Sequence, residues 1–338
     1  MAFEDFESDG CEGSVLEAWL RGSSAALFPN SRSALSYVVD KISAGRVWYP
    51  AYTCGTSVVT NQPNFYPICE DSLTPDIDFL ASNLSPGDVV VAIDYFGRSP
   101  DPTFISFVKS QPSIIWVQDC AQSVSPRVLW GTFQIFSPRK LFGVADGGVL
   151  TFSPEISTSD LPPFPQFTSL APPGLMPRIL RKIELRYAMD LGSYEEYVNS
   201  ESVIAVQSAG ISPLTYRQLR GINMASVVRS RVANHNVLSQ ALSDHSFFKN
   251  EISDWVPFGF AMKTESKESL IRRLFSRGVY PASHWSNLPS PKDAFEGLHV
   301  LAEAEITLPC DQRYSEEDME RLAKIVLEEL SRESSSRL

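Results

Sequence analysis

The sequence has no Cys-x-x-Cys pair. Its five cysteines, Cys11, Cys54, Cys69, Cys120 and Cys310, are odd in number and dispersed. That spacing argues against a disulfide framework or a zinc site and suits a reducing, cytoplasmic setting. Only four histidines occur (His235, His245, His284, His299), none at metal-ligand spacing, so no metal is expected. Positive charge is also short: 29 Lys and Arg stand against 40 Asp and Glu, a net charge of −11. An acidic chain makes a poor surface for nucleic acid or an anionic membrane, but a small anion can still be held by local backbone N–H groups. No apolar run approaches the roughly 18 residues that span a bilayer. The stretch Met1–Glu7 is acidic and lacks the basic start and apolar centre of a signal peptide. No internal repeat is found.

What is present is core material. The chain has 338 residues, 43% hydrophobic, with six Trp. That length suits a large unit with a smaller one, or two of medium size. From about 46 to 152, short apolar runs alternate with turn residues: Arg46–Tyr49, Asn64–Ile68, Asp88–Asp94, Ser113–Val117, Thr132–Phe136 and Gly148–Phe152. Runs such as Val89-Val90-Val91-Ala92-Ile93 are continuously apolar, which marks strands covered on both faces. Crossover helices are predicted at Asp76–Asn83 and Asp101–Lys109. A further helix over 31–42 has Asn30 or Ser31 as its cap.

The stretch 153–177 is rich in Pro and Ser/Thr and reads as a linker. Helices are then predicted over about 177–190 and 213–244. In the second, Arg229 and Arg231 read as solvated charges on a helix face, with contact to a diphosphate ligand as the alternative. Beyond lie a strand (Trp255–Met262), a helix (Ser266–Arg277), two short strands (Val279–Pro281 and Ile306–Pro309) and a final helix (Ser315–Leu330). The tail after Arg332 reads as frayed. The expectation is an α/β fold with a mixed, mostly parallel sheet sandwiched by helices and a small α+β C-terminal part. The division is 1–176 as the large unit, 177–245 as connecting helices and 246–338 as the small one.

Two residues carry chemistry. Asp119 ends an apolar strand in Val117-Gln118-Asp119-Cys120-Ala121-Gln122-Ser123, where open α/β sheets bind ligands. Acids at strand ends also commonly cap the next helix. Lys140 lies in Phe136-Ser137-Pro138-Arg139-Lys140-Leu141-Phe142-Gly143, between apolar flanks that would desolvate its amine and make it a usable nucleophile and base. The same residue could equally be a surface lysine. Gly147-Gly148 permits either a close backbone approach to a ligand or a plain turn. Together, the acid and the lysine could hold the two ends of pyridoxal phosphate. The helix start at Ser31-Arg32-Ser33 offers N–H groups to its phosphate.

In that order, these motifs resemble the DegT/DnrJ/StrS family of sugar aminotransferases, which have the fold type I architecture of pyridoxal phosphate enzymes. The likeness covers nearly the whole chain. It runs through Asn30-Ser31-Arg32-Ser33-Ala34-Leu35, Tyr49-Pro50-Ala51-Tyr52-Thr53-Cys54, Asp94-Tyr95-Phe96-Gly97, Asp119-Cys120-Ala121-Gln122-Ser123 and Phe136–Lys140. In the last third it continues through Val279-Tyr280-Pro281 with His284-Trp285, and Leu308–Tyr314.

The resemblance implies that Asp119 pairs with the pyridine nitrogen, Gln122 bonds the phenolic oxygen and Lys140 carries the cofactor covalently. Backbone groups of Arg32 and Ser33 would hold the phosphate, and His284 and Trp285 would face the substrate. Two positions depart from the pattern. Ile135 stands where a phosphate-binding serine is common, leaving Ser137 as the nearby hydroxyl. Cys54 stands where an aromatic ring often stacks on the cofactor, and Tyr52 is the nearest aromatic. The implied activity is transfer of an amino group from an amino acid such as glutamate to a keto-sugar, expected to be nucleotide-linked, by a homodimer. Other pyridoxal phosphate chemistry (a dehydratase or lyase) and a non-catalytic sugar-binding descendant are the alternatives. The dehydratase branch typically carries histidine in place of Lys140.

Overall fold

The computed structural model describes residues 10–41, 45–156, 164–169, 171–206, 209–248 and 255–336. The acidic start, and 157–163 and 170 of the proline-rich stretch, lie outside them. Seven strands form one sheet: β1 (Ser24–Phe28), β2 (Val47–Pro50), β3 (Pro63–Tyr66), β4 (Val89–Ile93), β5 (Ile115–Asp119), β6 (Phe133–Phe136) and β7 (Gly148–Phe152), in the order β1-β7-β6-β5-β4-β2-β3. Strands β3, β2, β4, β5 and β6 run parallel, while β7 is antiparallel to both β6 and β1. This is the mixed, mostly parallel sheet expected.

Six of these strands follow the apolar runs of the sequence. The seventh, β1, escapes such a reading because Ser24-Ala25-Ala26 has little strand preference of its own. Pairing with β7, from Ser24↔Phe152 to Phe28↔Gly148, makes it a strand.

Helices cover both faces, in chain order α1 (Val15–Leu20), α2 (Ser31–Lys41), α3 (Ile77–Asn83) and α4 (Pro102–Ser110). All five residues of β4 are buried. Val89 and Val91 face Leu35 and Val38 of α2, while Val90 and Ala92 face Leu80 of α3 and Phe104 of α4. Asp76 and Asp101 start α3 and α4 by accepting from Phe79 N (2.9 Å) and Thr103 N (2.7 Å), as their positions in the sequence suggested.

Between β6 and β7 lies α5 (Pro138–Leu141), and beyond the sheet come α6 (Leu175–Tyr187), α7 (Ser193–Ser202), α8 (Pro213–Gly221) and α9 (Met224–Ala241). The single helix expected over 213–244 is two. Ile222 is extended, and Asn223 caps α9 by accepting from Ser226 N at 2.9 Å. A glycine end followed two residues later by a capping side chain breaks the helix there.

The last part holds β8 (Phe260–Lys263), α10 (Lys267–Ser276), α11 (Glu296–Ala304), β9 (Glu305–Leu308) and α12 (Glu316–Ser336). Strands β8 and β9 pair antiparallel, and α9, α10 and α12 close a second core over them around Leu238, Phe260, Leu270, Leu308 and Val326. The strand expected from Trp255 begins only at Phe260, since Pro257 has no N–H to offer a ladder. The strand expected at 279–281 is a single bridge, Ala282↔Thr307. Helix α12 continues past Arg332, where fraying was expected. None of the described helices is long and apolar enough to cross a membrane, and no described group of His, Cys, Asp and Glu could hold a metal.

Candidate active site

Strands β4, β5 and β6 end side by side, which places Asp94, Asp119 and the turn carrying Lys140 at one edge of the sheet. Ile93 pairs with Asp119, and Asp119 with Ile135, five residues before Lys140. Asp119 is half-buried but closely surrounded by protein. Desolvation raises its pKa, while the Lys140 ammonium and a 2.8 Å bond from Ala121 N partly offset the rise. That interaction brings the two residues singled out from sequence into one electrostatic unit.

Lys140 sits on α5, whose start is fixed by Pro138. The turn is tied down from behind. Leu141 O accepts from Arg231 Nη2 (2.9 Å) and Gln312 Nε2 (3.1 Å). Arg231 also donates to Gln312 Oε1 (2.7 Å), Pro257 O (3.0 Å) and Phe258 O (3.1 Å), and is only 1% exposed. The expectation of a solvated charge fails for Arg231, which is a buried clamp. Arg229, two residues away on α9, is exposed as expected. Nothing in the spacing of α9 separates these two arginines; only the tertiary packing does.

Gln122 is buried, and its Oε1 accepts from Phe96 N at 2.8 Å. A backbone N–H can only donate, so the amide oxygen must face Phe96 and the NH2 group must face away. Asp94, beside Asp119, is fully buried, with its pKa pushed up to about 7 by desolvation. Gln118 Nε2 donates to its Oδ2 at 2.9 Å.

At the opposite end of the site lies the start of α2. Asn30 is the cap: its Oδ1 accepts both Ser33 N (2.9 Å) and Ser33 Oγ (3.1 Å). Ser33 is therefore occupied within its own helix. The N–H of Arg32 has no hydrogen bond among the described residues, while the bridge Asn30↔Gly147 engages that of Ser31. Gly148 makes room for this helix start: a Cβ there would lie 2.3 Å from Asn30 C and O. Gly148 thus admits the protein's own backbone, while Gly147 takes a positive φ against the side chains of Ile211 and Pro138.

Two guanidinium groups converge beside the helix start. Burial, then the nearby Arg139, lowers the pKa of Arg32, while Glu201 and Cys54 act the other way. Arg139 is paired through both its terminal nitrogens with Glu201 of α7, Nη2 to Oε2 being 3.0 Å. Ser137 Oγ is buried without a hydrogen-bond partner among the described residues.

Tyr52 does not open to this edge. Its ring is fully buried against Tyr95 (5.9 Å between centroids) and Trp285 (5.7 Å), and its hydroxyl donates to His284 O. Neither face is free to stack on a ligand. Cys54 is partly exposed and lies 3.2 Å from Thr56 Oγ1. His284 and Trp285 stand on the loop after the Ala282 bridge, with His284 edge-on to Phe96 at 5.7 Å.

No family profile matches the chain, and no curated protein matches it. Solved structures do. A putative sugar aminotransferase of Streptococcus pneumoniae, in its PMP form, aligns with a TM-score of 0.67 at 14% identity, over 94% of this chain and 90% of that one. DesV of S. venezuelae, in complex with a ketimine intermediate, gives 0.65 at 16% identity, over 92% and 86%. A DegT DnrJ EryC1 StrS aminotransferase of Brucella abortus gives 0.62 at 14% identity, over 92% and 87%. The chain has the fold of these proteins. That fold is the fold type I architecture expected from the motifs.

Proposed function

We propose that the protein is a pyridoxal 5′-phosphate-dependent aminotransferase that moves an amino group from an amino acid, glutamate foremost, to a keto-sugar carried on a nucleotide. The observation that carries this reading is the coupled Asp119–Lys140 pair at adjacent strand ends. It stands on a fold shared with sugar aminotransferases.

The residues fit the cofactor. Asp119 has one oxygen bonded to Ala121 N and the other available to a ring N–H. A cation there would relieve the cost of keeping the carboxylate charged. The Gln122 NH2 group, turned away from Phe96, would donate to the phenolic oxygen. The phosphate would meet the N–H of Arg32 at the start of α2 and the guanidinium groups of Arg32 and Arg139. When bound, the cofactor supplies an electron sink for charge developing at the substrate Cα. Lys140, held by the clamp on Leu141 O, would move the proton between the substrate Cα and C4′ of the cofactor. Asp119 keeps the ring nitrogen protonated throughout.

The expected partner is a second copy of the chain. Of 20 large hydrophobic side chains exposed among the described residues, 11 lie between Met176 and Val206, on α6, α7 and their flanks. So dense a patch calls for a cover. Glu201 on α7 reaches Arg139, so that patch adjoins the site. The division into a large unit (1–176), connecting helices (177–245) and a small unit (246–338) remains part of this reading.

The test is a spectrum. Protein supplied with pyridoxal phosphate should absorb near the visible edge. Borohydride should abolish the band and leave the pyridoxyl group on the peptide containing Lys140, and Lys140→Ala should lack the band. Added glutamate should convert it to the amine form, which a lyase would not do. No band in the wild-type protein would leave a non-catalytic, sugar-binding role as the better account.

A further inference from the structure

Glu305 opens β9 and is fully buried. Its Oε2 accepts the backbone N–H of His284 at 2.7 Å, and its Oε1 accepts the hydroxyl of Thr307 at 2.5 Å. A threonine has one hydroxyl proton. With that proton committed to Glu305, Thr307 Oγ1 can only accept from any third group. The third group is His284 Nδ1, 2.8 Å away. Nδ1 must therefore carry the hydrogen. A neutral imidazole has one N–H, so the lone pair lies at Nε2.

The sequence builds this chain of bonds locally. The bridge Ala282↔Thr307 closes with Ala282 N to Thr307 O (2.9 Å) and Thr307 N to Ala282 O (2.8 Å), two residues before His284. The Tyr52 hydroxyl donates to His284 O from the opposite side, and the Lys267 ammonium interacts with Glu305. Phe96 (5.7 Å), Phe258 (5.4 Å) and Trp285 (5.7 Å) wall the imidazole edge-to-face. Phe96 is also the residue whose N–H orients Gln122, so His284 stands one aromatic ring from the amide beside Asp119. The side chain of His284 is 13% exposed, and Nε2 has no hydrogen bond among the described residues.

We propose that Glu305 and Thr307 lock His284 in its Nδ1–H tautomer, so that Nε2 is a hydrogen-bond acceptor for a hydroxyl of the sugar substrate. Glu305 and Thr307 are positioning residues, and His284 makes the contact. A lone pair there repels a carboxylate, which favours the sugar over the amino-acid donor. Only the identity of the donor group rests on the aminotransferase reading; the tautomer does not.

Long-range 1H–15N correlation on the full-length, histidine-labelled protein reads the tautomer directly, with the four histidines assigned by single substitutions. His284 should show an unprotonated Nε2. Thr307→Val, close in shape but unable to accept, should shift the population toward Nε2–H, and Thr307→Ser should restore the wild-type pattern. A wild-type Nε2–H, or a Thr307→Val spectrum like that of wild type, would overturn the lock. The wild-type spectrum alone decides if Thr307→Val does not fold. In the cofactor-loaded protein, His284→Ala should lose more in the return half-reaction with a keto-sugar than in the conversion of the absorbance band with glutamate. An equal or greater loss with glutamate would place the contact on the amino-acid donor instead. If the wild-type protein has no band at all, the aminotransferase reading and the sugar contact fall together, and the tautomer measurement stands apart from both.

Discussion

The two ends of the candidate site are built by different rules. At the ring end, each group is one the chemistry demands: a carboxylate, an amine and an amide, each held by a backbone contact. Ala121 N holds Asp119, Phe96 N holds Gln122, and Leu141 O anchors the turn of Lys140. At the phosphate end, one hydroxyl is absent, one is engaged, and Ser137 Oγ is buried without a hydrogen-bond partner among the described residues. Ile135 is buried in the sheet, Ser33 bonds Asn30, and charge comes from Arg32 and Arg139 with Glu201 between them. The contrast has a physical basis. Stabilising charge on a conjugated ring requires a particular acid at a particular atom, whereas an anion can be held by any well-placed donors.

If that contrast holds, damage at the ring end should appear in rate and damage at the phosphate end in binding. The largest effect is expected from Asp119→Asn. It keeps the shape and the bond from Ala121 N but loses the charge that would hold a proton on the ring. Turnover with glutamate should fall roughly 10²- to 10³-fold, the scale of losing one preorganised electrostatic contact. Cofactor affinity should change much less. A variant that turns over normally would place the essential acid elsewhere.

Asp94 offers a second probe of the ring end, read in stability. Its folded pKa of about 7 lies above the ordinary 3.8, so the folded state holds a proton that the unfolded chain releases. The associated stability is present at low pH and is lost as pH rises from about 4 through 7. At full effect this is about 4 kcal/mol. Asp94→Asn removes the term while an amide oxygen can keep the bond from Gln118. Denaturant unfolding should therefore show the variant gaining on wild type across that window. Parallel curves would mean that Asp94 is ionised in both states.

Arg32→Ala tests the phosphate end. One charge-assisted hydrogen bond is worth about 1.5–3 kcal/mol, so affinity for pyridoxal phosphate should weaken roughly 10- to 100-fold. Affinity for pyridoxal, which lacks the phosphate, should not change. Equal losses for both ligands would mean that Arg32 shapes the pocket and does not bind the anion.

The same division explains what could be read from the sequence alone. Asp119, Gln122 and Lys140 stood out because a strand end and a conspicuous spacing announce them. Six strands stood out because their burial on both faces makes them continuously apolar. β1 did not, since its small residues become a strand only by pairing with β7. Arg231 did not, because its role depends on Leu141, Pro257, Phe258 and Gln312, all remote in sequence. The arginine pair was hidden for the same reason: Arg32, Arg139 and Glu201 come from α2, α5 and α7, and α7 itself, with the low-contrast sequence Ser193-Tyr194-Glu195-Glu196-Tyr197-Val198, carried no helix signal strong enough to be expected.

The smallest expected effect is also the most diagnostic of how that end works. Glu201 shares the positive charge of Arg139 with any phosphate that binds there, and its side chain is 32% exposed. A pair this close to solvent is worth no more than about 1 kcal/mol. If Glu201 only neutralises the arginines, Glu201→Gln should tighten pyridoxal phosphate binding by up to about fivefold, leave pyridoxal unchanged, and make the affinity more sensitive to salt. If its two-pronged contact instead aims Arg139 at the phosphate, the sign reverses and the variant binds more weakly. The phosphate end would then be as rigidly specified as the ring end, and the contrast between them would disappear.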